Sequence, residues 1–253
     1  MWQLEDDKTN RQYTYFQFGI QRTGTTIVDR VIKDTWNYWK ANDAFPPKDP
    51  YKQRPPQYDC LVWKHAINIP DNFVQGAPTV LIYKNPYTWA ESMAFRKGAG
   101  NGGWSFTYGH EAEEHMYPQP NHWNTISVPS QGSVNIGQLM YTYKHWFETW
   151  LPYHEANQDT SVLIRYEDLL IKEKRQEIFS NMAKKFSWPE HEGDFVWPEH
   201  VGSSQPMTEE RTQYYIEGKP TDERFFIHGE RFVKSIRDIL SPDLIQRLGY
   251  QVL

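Results

Sequence analysis

Four short apolar runs, rich in β-branched or aromatic residues, stand out against the polar background of the chain. Each run is nearly continuous, ends in polar residues, and is separated from the next by a long helical or irregular stretch and not by a two-residue hairpin signal. Runs of this kind are typical of buried parallel strands. They lie at residues 13–20, 59–65, 78–86 and 160–168.

A helical pattern follows the first run directly. Its apolar residues recur on one helical stripe, which predicts an amphipathic helix. The stripe comprises Ile27, Val28, Val31, Ile32, Trp36 and Trp39. Further helices are predicted at residues 88–95, 137–153, 172–186 and 230–240. Strands that alternate with helices predict an α/β fold, here a three-layer domain with a central parallel sheet flanked by helices.

Length and composition favour a single domain. A chain of 253 residues that is 38% hydrophobic can bury one sizeable core. Residues 98–132 and 193–220 carry no clear period and are predicted to be irregular. Long irregular segments in a compact domain are usually functional, so we expect them to act as substrate or lid segments.

The charge balance and the cysteine content restrict the partners and the compartment. A net charge of -5 and a pI near 6.0 argue against a nucleic-acid or membrane-surface binder. Cys60 is the only cysteine, the first residues are charged where a signal peptide would be apolar, and no apolar run is long enough to span a membrane. We therefore expect a cytoplasmic protein.

The stretch FGIQRTGTT joins the first predicted strand to the first predicted helix. Gly19 and Gly24 have the G-x-x-x-x-G spacing of a phosphate-binding loop and Thr26 holds the hydroxyl position, but Thr25 stands where the lysine of an ATP-binding loop should be. What remains is a cradle of backbone amides for one terminal phosphate, with Arg22 inside the loop. Taken alone, the stretch would be better explained as a plain turn from strand to helix.

Polar residues with the right chemistry also follow the other strands. Ser92 lies eight positions after Lys84, two turns along a helix that Pro86 would start, and such a pair can hold a second phosphate. A solvated lysine and an exposed serine are the alternative. Because a parallel sheet places its chemistry at the carboxyl ends of its strands, Arg22, His65, Lys84 and Tyr166 are expected at one edge.

Together these pieces resemble the sulfotransferases that use 3′-phosphoadenosine 5′-phosphosulfate (PAPS). In that family a loop reading P-K/R-S/T-G-T-T binds the 5′-phosphosulfate, R-x-P-x-x-x-x-x-S binds the 3′-phosphate, and a strand ending in Y-E-D-L precedes a helix. This chain has QRTGTT, KNPYTWAES and RYEDLL in the same order, with similarity also in YKHWFETWLPY and LSPDLIQRLGY. The resemblance spans nearly the whole chain, and it implies that the three-layer α/β domain is of the P-loop type.

The resemblance implies a role for each matching residue. The 5′-phosphate would be held by the loop, the 3′-phosphate by Lys84 and Ser92, and the adenine would lie against Tyr166. The loop residues concerned are Arg22, Thr23, Gly24, Thr25 and Thr26. Arg22 takes the place of the catalytic lysine and, since it stays protonated, would stabilise charge on the leaving phosphate. The donor PAPS would leave as adenosine 3′,5′-bisphosphate (PAP), and no metal is expected.

The acceptor hydroxyl needs a base, and the second predicted strand ends in one. LVWKHAINIP looks like the family's strand-end K-T-H-L-P, so His65 is the predicted general base. The lysine stands one place nearer to the histidine than in the family, and adjacent strand residues face opposite sides. Lys64 is therefore the reserve candidate for contacting the sulfuryl group, and a merely structural His65 is the alternative.

Two local patterns depart from the family or lead elsewhere. The tripeptide Arg96-Lys97-Gly98 matches the family's R-K-G, but it stands just after Ser92 and not near the carboxyl end. Only a contact of Arg96 with the phosphate, by proximity, is predicted. The histidines of HEAEEH lack the H-E-x-x-H spacing of a zinc site, so no metal ligands are predicted.

The predicted function is transfer of a sulfuryl group from PAPS to a hydroxyl or amine of a small-molecule or saccharide acceptor. Two alternatives remain from the sequence. One is a P-loop kinase acting on a small molecule, against which the missing lysine counts. The other is a sulfotransferase-like protein that binds the nucleotide and a partner without catalysis.

Overall fold

The computed structural model describes residues 4–6, 11–20, 23–41, 68–69, 73–94, 125–128, 132–198, 209–218 and 229–253. The chain forms two compact units, one from Met1–Tyr83 and Thr149–Thr208, the other from Lys84–Glu148 and Glu209–Leu253. The strand predicted at 59–65 lies outside the described residues. None of the helices in the described ranges is long and apolar enough to cross a membrane.

The described residues form seven strands and eight helices. The strands are β1 (Leu4–Asp6), β2 (Arg11–Phe18), β3 (Tyr38–Lys40), β4 (Thr79–Tyr83), β5 (Thr125–Val128), β6 (Gly132–Asn135) and β7 (Ser161–Arg165). The helices are α1 (Thr25–Trp36), α2 (Pro86–Ala94), α3 (Ile136–Ala156), α4 (Tyr166–Leu170), α5 (Lys172–Lys185), α6 (Glu209–Glu217), α7 (Gly229–Leu240) and α8 (Pro242–Arg247).

The first unit is built on a parallel sheet. Strands β3 and β4 both pair with β2 in parallel, β7 pairs with β4 in parallel, and β1 adds an antiparallel strand to β2. Phe18 is the register partner of Leu81, and Tyr83 is the partner of Arg165. The prediction of buried parallel strands is confirmed for the three runs that the structure describes, and the carboxyl ends of β2, β4 and β7 share one edge.

Successive strand residues point to opposite faces of this sheet, and helices cover both faces. On one face Tyr15, Val80 and Ile82 pack with apolar residues of α1 and α5. On the other face Phe18 stacks on Trp150 of α3, with ring centroids 4.1 Å apart. The central parallel sheet is therefore flanked by helices on both sides, which confirms the predicted three-layer α/β architecture.

Helix α1 is shorter than its apolar stripe predicted. The helix ends at Trp36, because Asn37 adopts a left-handed conformation (φ 56°) while its amide still donates to the Lys33 carbonyl. Trp39 then belongs to β3, and not to the helix, since Tyr38–Lys40 pairs with β2. Asp29 of α1 ties these elements together by accepting hydrogen bonds from Tyr15 and Lys40, each at 3.0 Å.

The second unit contains α2, α6, α7, α8, the first part of α3 and an antiparallel hairpin of β5 and β6. Strand β5 and helix α6 fall inside the segments 98–132 and 193–220, so the prediction of irregular structure does not hold at these positions. The sequence nevertheless carries signals for both ends of helix α6. Glu209 and Glu210 lie in its first turn, and Gly218 follows its end with a positive φ of 67°.

Candidate functional site

The glycine loop leads directly into α1, as its sequence predicts. Gly24 has φ 91° and ψ 10° and forms the N-terminal cap of the helix, and its carbonyl accepts hydrogen bonds from the amides of Ile27 and Val28 at 3.0 and 3.1 Å. The first amides of a helix have no partner within the helix and carry the positive end of its dipole. This arrangement suits a phosphate group, which accepts from several amides at once.

Both glycines of the loop are sites of close approach. A Cβ atom on Gly19 would lie 2.6 Å from the Ile82 carbonyl oxygen of β4. A Cβ atom on Gly24 would lie 2.5 Å from Cδ2 of Tyr166, whose ring therefore packs against the loop backbone. Only glycine fits at either position without displacement of these neighbours.

The three loop threonines differ in what their side chains can reach. Thr23 is buried and its hydroxyl donates to the Ile20 carbonyl at 2.7 Å. Thr25 is also buried, and its carbonyl accepts from the Gln17 side chain at 2.7 Å. Thr26 is exposed. Of these three side chains, Thr26 is the one whose hydroxyl can contact a ligand from solvent, and Gln17 is a supporting residue that the loop motif does not reveal.

A charged group lies at the carboxyl end of β7, in the same unit as the glycine loop. The Glu167 side chain is only 2% exposed and lies 3.6 Å from Nε of Arg165. Tyr83 faces this group, and its pKa is raised to about 12, mainly by burial. The positive charge of Arg165 lowers this pKa, whereas the negative charge of Glu167 raises it. Tyr83 is therefore protonated at neutral pH and can donate a hydrogen bond, but it cannot act as a base there.

The second unit holds the predicted lysine and serine side by side. Lys84 directly follows β4, and its ammonium donates to the Ser92 hydroxyl oxygen at 3.2 Å, while that hydroxyl donates to the Thr88 carbonyl at 2.7 Å. Lys84 is 2% exposed. The alternative of a solvated lysine and an exposed serine is therefore wrong. The eight-residue spacing works because α2 carries Ser92 two turns along from its start at Pro86.

Other residues around Lys84 were not predicted. The ring of Tyr215 lies beneath the ammonium, with 3.9 Å from Nζ to the ring centroid, and the Tyr143 hydroxyl donates to the Lys84 carbonyl. Asn85 caps α2, since its side-chain oxygen accepts from the amides of Tyr87 and Thr88. The Asn-Pro pair is a helix-start signal that could have revealed this cap. Tyr143 and Tyr215 are too distant in sequence for any local signal.

Several predicted site residues are not placed by the structure. Arg22, Lys64, His65 and Arg96 lie outside the described residues. Tyr166, predicted against the adenine, is described and is buried at 5% exposure with its ring on Gly24. Within the described part of the chain no group of histidine, cysteine or acidic side chains could hold a metal ion.

Comparison with known proteins assigns no family to this chain. No protein-family model matches the chain, and neither a curated protein nor a solved structure matches it significantly.

Proposed function

We propose that this chain is a sulfotransferase that moves a sulfuryl group from PAPS to an acceptor hydroxyl or amine. The observation that carries the proposal is positional. The glycine loop, Lys84 and Tyr166 follow β2, β4 and β7 respectively, and these three strands are neighbours in one parallel sheet. The PAPS-dependent sulfotransferases, which the sequence resembles, have their donor-binding motifs at these three places and in the same chain order.

The chemistry of the two groups supports a donor with two separate phosphates. The loop offers helix-start amides and the exposed Thr26 hydroxyl to a 5′-phosphosulfate. Lys84 would supply a cation to a 3′-phosphate, and the Ser92 hydroxyl, which donates to the Thr88 carbonyl in this structure, would turn to donate to that phosphate. ATP would instead call for the missing loop lysine at Thr25, which reaches the β- and γ-phosphates in ATP-binding loops.

The proposed reaction is an in-line displacement at sulfur. The acceptor oxygen attacks the sulfuryl group while His65 takes its proton, and the bond from sulfur to the bridging phosphate oxygen breaks, with its electron pair leaving on PAP. Arg22 and the loop amides stabilise the negative charge on that leaving group. Lys64 remains the reserve contact to the sulfuryl group, and Arg96 an additional cation near the 3′-phosphate.

Calorimetric titration with PAP tests the donor site directly, with ATP and magnesium titrated in parallel. We expect PAP to bind, and ATP with magnesium to show no binding in its own titration. The Lys84→Met variant keeps the length of the buried stem but removes the charge, and it should weaken PAP binding at least about tenfold, as expected for loss of a charged hydrogen bond.

A matched control is Lys234→Met, which removes a lysine that is 63% exposed and paired with Asp238 in the same unit. It should bind PAP like the unaltered protein. Binding of ATP in place of PAP would overturn the sulfotransferase proposal and favour the kinase. PAP binding without transfer from PAPS to any member of a broad acceptor panel would favour the non-catalytic binding protein.

A further inference from the structure

Helix α6 is seated on the turn that carries Lys84. The Tyr215 ring lies under the Lys84 ammonium, and the Tyr214 hydroxyl donates to the buried Glu91 carboxylate of α2. At the end of α6, a Cβ atom on Gly218 would lie 2.5 Å from Nδ2 of Asn85. All of these residues belong to the second unit. Three contacts therefore hold α6 against α2 and the two residues that precede it.

Lys84 as a whole is only 2% exposed, so its ammonium is nearly removed from water and needs compensating partners. The Ser92 oxygen supplies one. The face of the Tyr215 ring supplies another, because the negative face of an aromatic ring attracts a cation, and more strongly when both are desolvated. The ring thus gives Lys84 part of the stabilisation that an anion would give.

We propose that Tyr215 is a positioning residue that competes with the anion for the ammonium of Lys84, and so sets both the accessibility of this lysine and its affinity for the ligand. The inference rests on the proposed function in taking that anion to be the 3′-phosphate of the donor. A ligand phosphate reaches Nζ only from the fraction of molecules in which Lys84 and the ring have separated. The apparent dissociation constant is then the intrinsic one divided by that fraction.

Two substitutions separate the ring from the rest of the side chain. Tyr215→Leu keeps an apolar side chain but removes the ring face, whereas Tyr215→Phe keeps the ring. Loss of a desolvated cation–π contact should raise the open fraction by about 5- to 30-fold. The Leu variant should therefore bind PAP more tightly, and the Phe variant should bind it like the unaltered protein. If Tyr215 only supported the fold, the Leu variant would instead bind PAP more weakly.

Acetylation with an amine-reactive ester, followed by mass spectrometry, measures the access to Lys84 without any nucleotide. Lys84 should react several-fold faster in Tyr215→Leu than in Tyr215→Phe. Lys144, which is 37% exposed in the same unit, serves as the internal reference and should react equally in both. If the Leu variant melts below the assay temperature, Tyr215→Met replaces it, since methionine also lacks a ring.

The two readouts distinguish a failure of this inference from a failure of the proposed function. Faster acetylation of Lys84 in the Leu variant, with no PAP binding by any variant, would support control by Tyr215 and reject the donor. Unchanged acetylation of Lys84, or weaker PAP binding in the Leu variant, would overturn the competition even if the unaltered protein binds PAP. Faster acetylation together with tighter PAP binding is the result we expect.

Discussion

At the scale of single residues, the glycine loop depends on one contact that no motif specifies. Gly24 has a positive φ of 91° and lies under Tyr166. Gly76 has a similar φ of 80°, but a Cβ atom added there would meet no atom within 4 Å. Both glycines belong to the first unit. The two positions therefore separate the backbone preference of glycine from its role in close packing.

Gly76→Ala should lower the free energy of unfolding by about 1 kcal/mol, the cost of a left-handed alanine. Gly24→Ala should lower it by about 3 kcal/mol, because the added methyl group also displaces the Tyr166 ring. Urea denaturation of the two variants measures the difference. Equal losses would mean that the Tyr166 contact does not constrain the loop.

His65 carries the most direct prediction about catalysis. Replacing it with alanine should lower the turnover by about 100- to 10,000-fold, since the acceptor would lose its general base. The dissociation constant for PAP should stay within about twofold, because a base for the acceptor is not a ligand of the donor. Steady-state kinetics and calorimetry of the same preparation measure both quantities. A variant with normal turnover would show that His65 is a structural histidine.

His154 makes the stability of the first unit depend on pH. Its Nδ1 lies 2.7 Å from the Ser161 hydroxyl oxygen, and burial, assisted by the nearby Lys185 charge, lowers its pKa below the usual 6.5. The unfolded chain then binds a proton that the folded chain binds less readily. This contribution to stability is present above about pH 6.5 and is lost as the pH falls through the folded pKa.

His154→Gln should therefore flatten the decline of the free energy of unfolding below pH 6.5, the ordinary histidine value. The change in slope should stay under about 1.4 kcal/mol per pH unit, the value for one fully coupled proton, because solvent screens a half-buried ring. Denaturation curves between neutral and mildly acidic pH measure it. Lys185→Met should flatten the slope less, and a slope unchanged in both variants would contradict the assignment.

At the scale of elements, the end of α1 shows where local pattern and tertiary pairing compete. The apolar stripe runs on to Trp39, but residues 38–40 pair with β2 and leave the helix. A helical period continued for one more turn cannot be distinguished by pattern from a short strand with the same apolar residues. Helices α2, α3, α5 and α7 begin and end close to their predicted bounds, whereas α4, α6 and α8 were not predicted as helices.

Asn37 is the residue that permits this change of direction, since it is held at φ 56° and ψ 29°. Asn37→Gly should leave the free energy of unfolding within a few tenths of a kcal/mol of its original value, as expected for a left-handed cap. Asn37→Ala should lower it by about 1 kcal/mol. Thermal or urea unfolding of the pair gives the comparison. Equal stability of the two variants would show that the left-handed cap does not hold the end of α1.

At the scale of the whole molecule, donor binding should appear as a gain in stability. A ligand that binds only the folded chain adds about 2.7 kcal/mol at a concentration one hundred times its dissociation constant. PAP should therefore raise the melting temperature of the protein, and Lys84→Met should remove at least about half of the shift, because a tenfold weaker ligand adds only about 1.4 kcal/mol at that concentration. ATP at the same concentration should give little shift. A larger shift with ATP than with PAP would contradict the proposed donor.

The sequence alone determined the strand runs, the glycine loop at the start of α1 and the spacing of Lys84 and Ser92. These features follow from periodicity and backbone preference, which act over one or two turns of chain. Only the tertiary structure decided that Tyr166 packs on Gly24, that Tyr215 lies under Lys84 and that Trp39 joins the sheet. Such contacts join residues far apart in the chain, so they depend on which surfaces meet when the core forms.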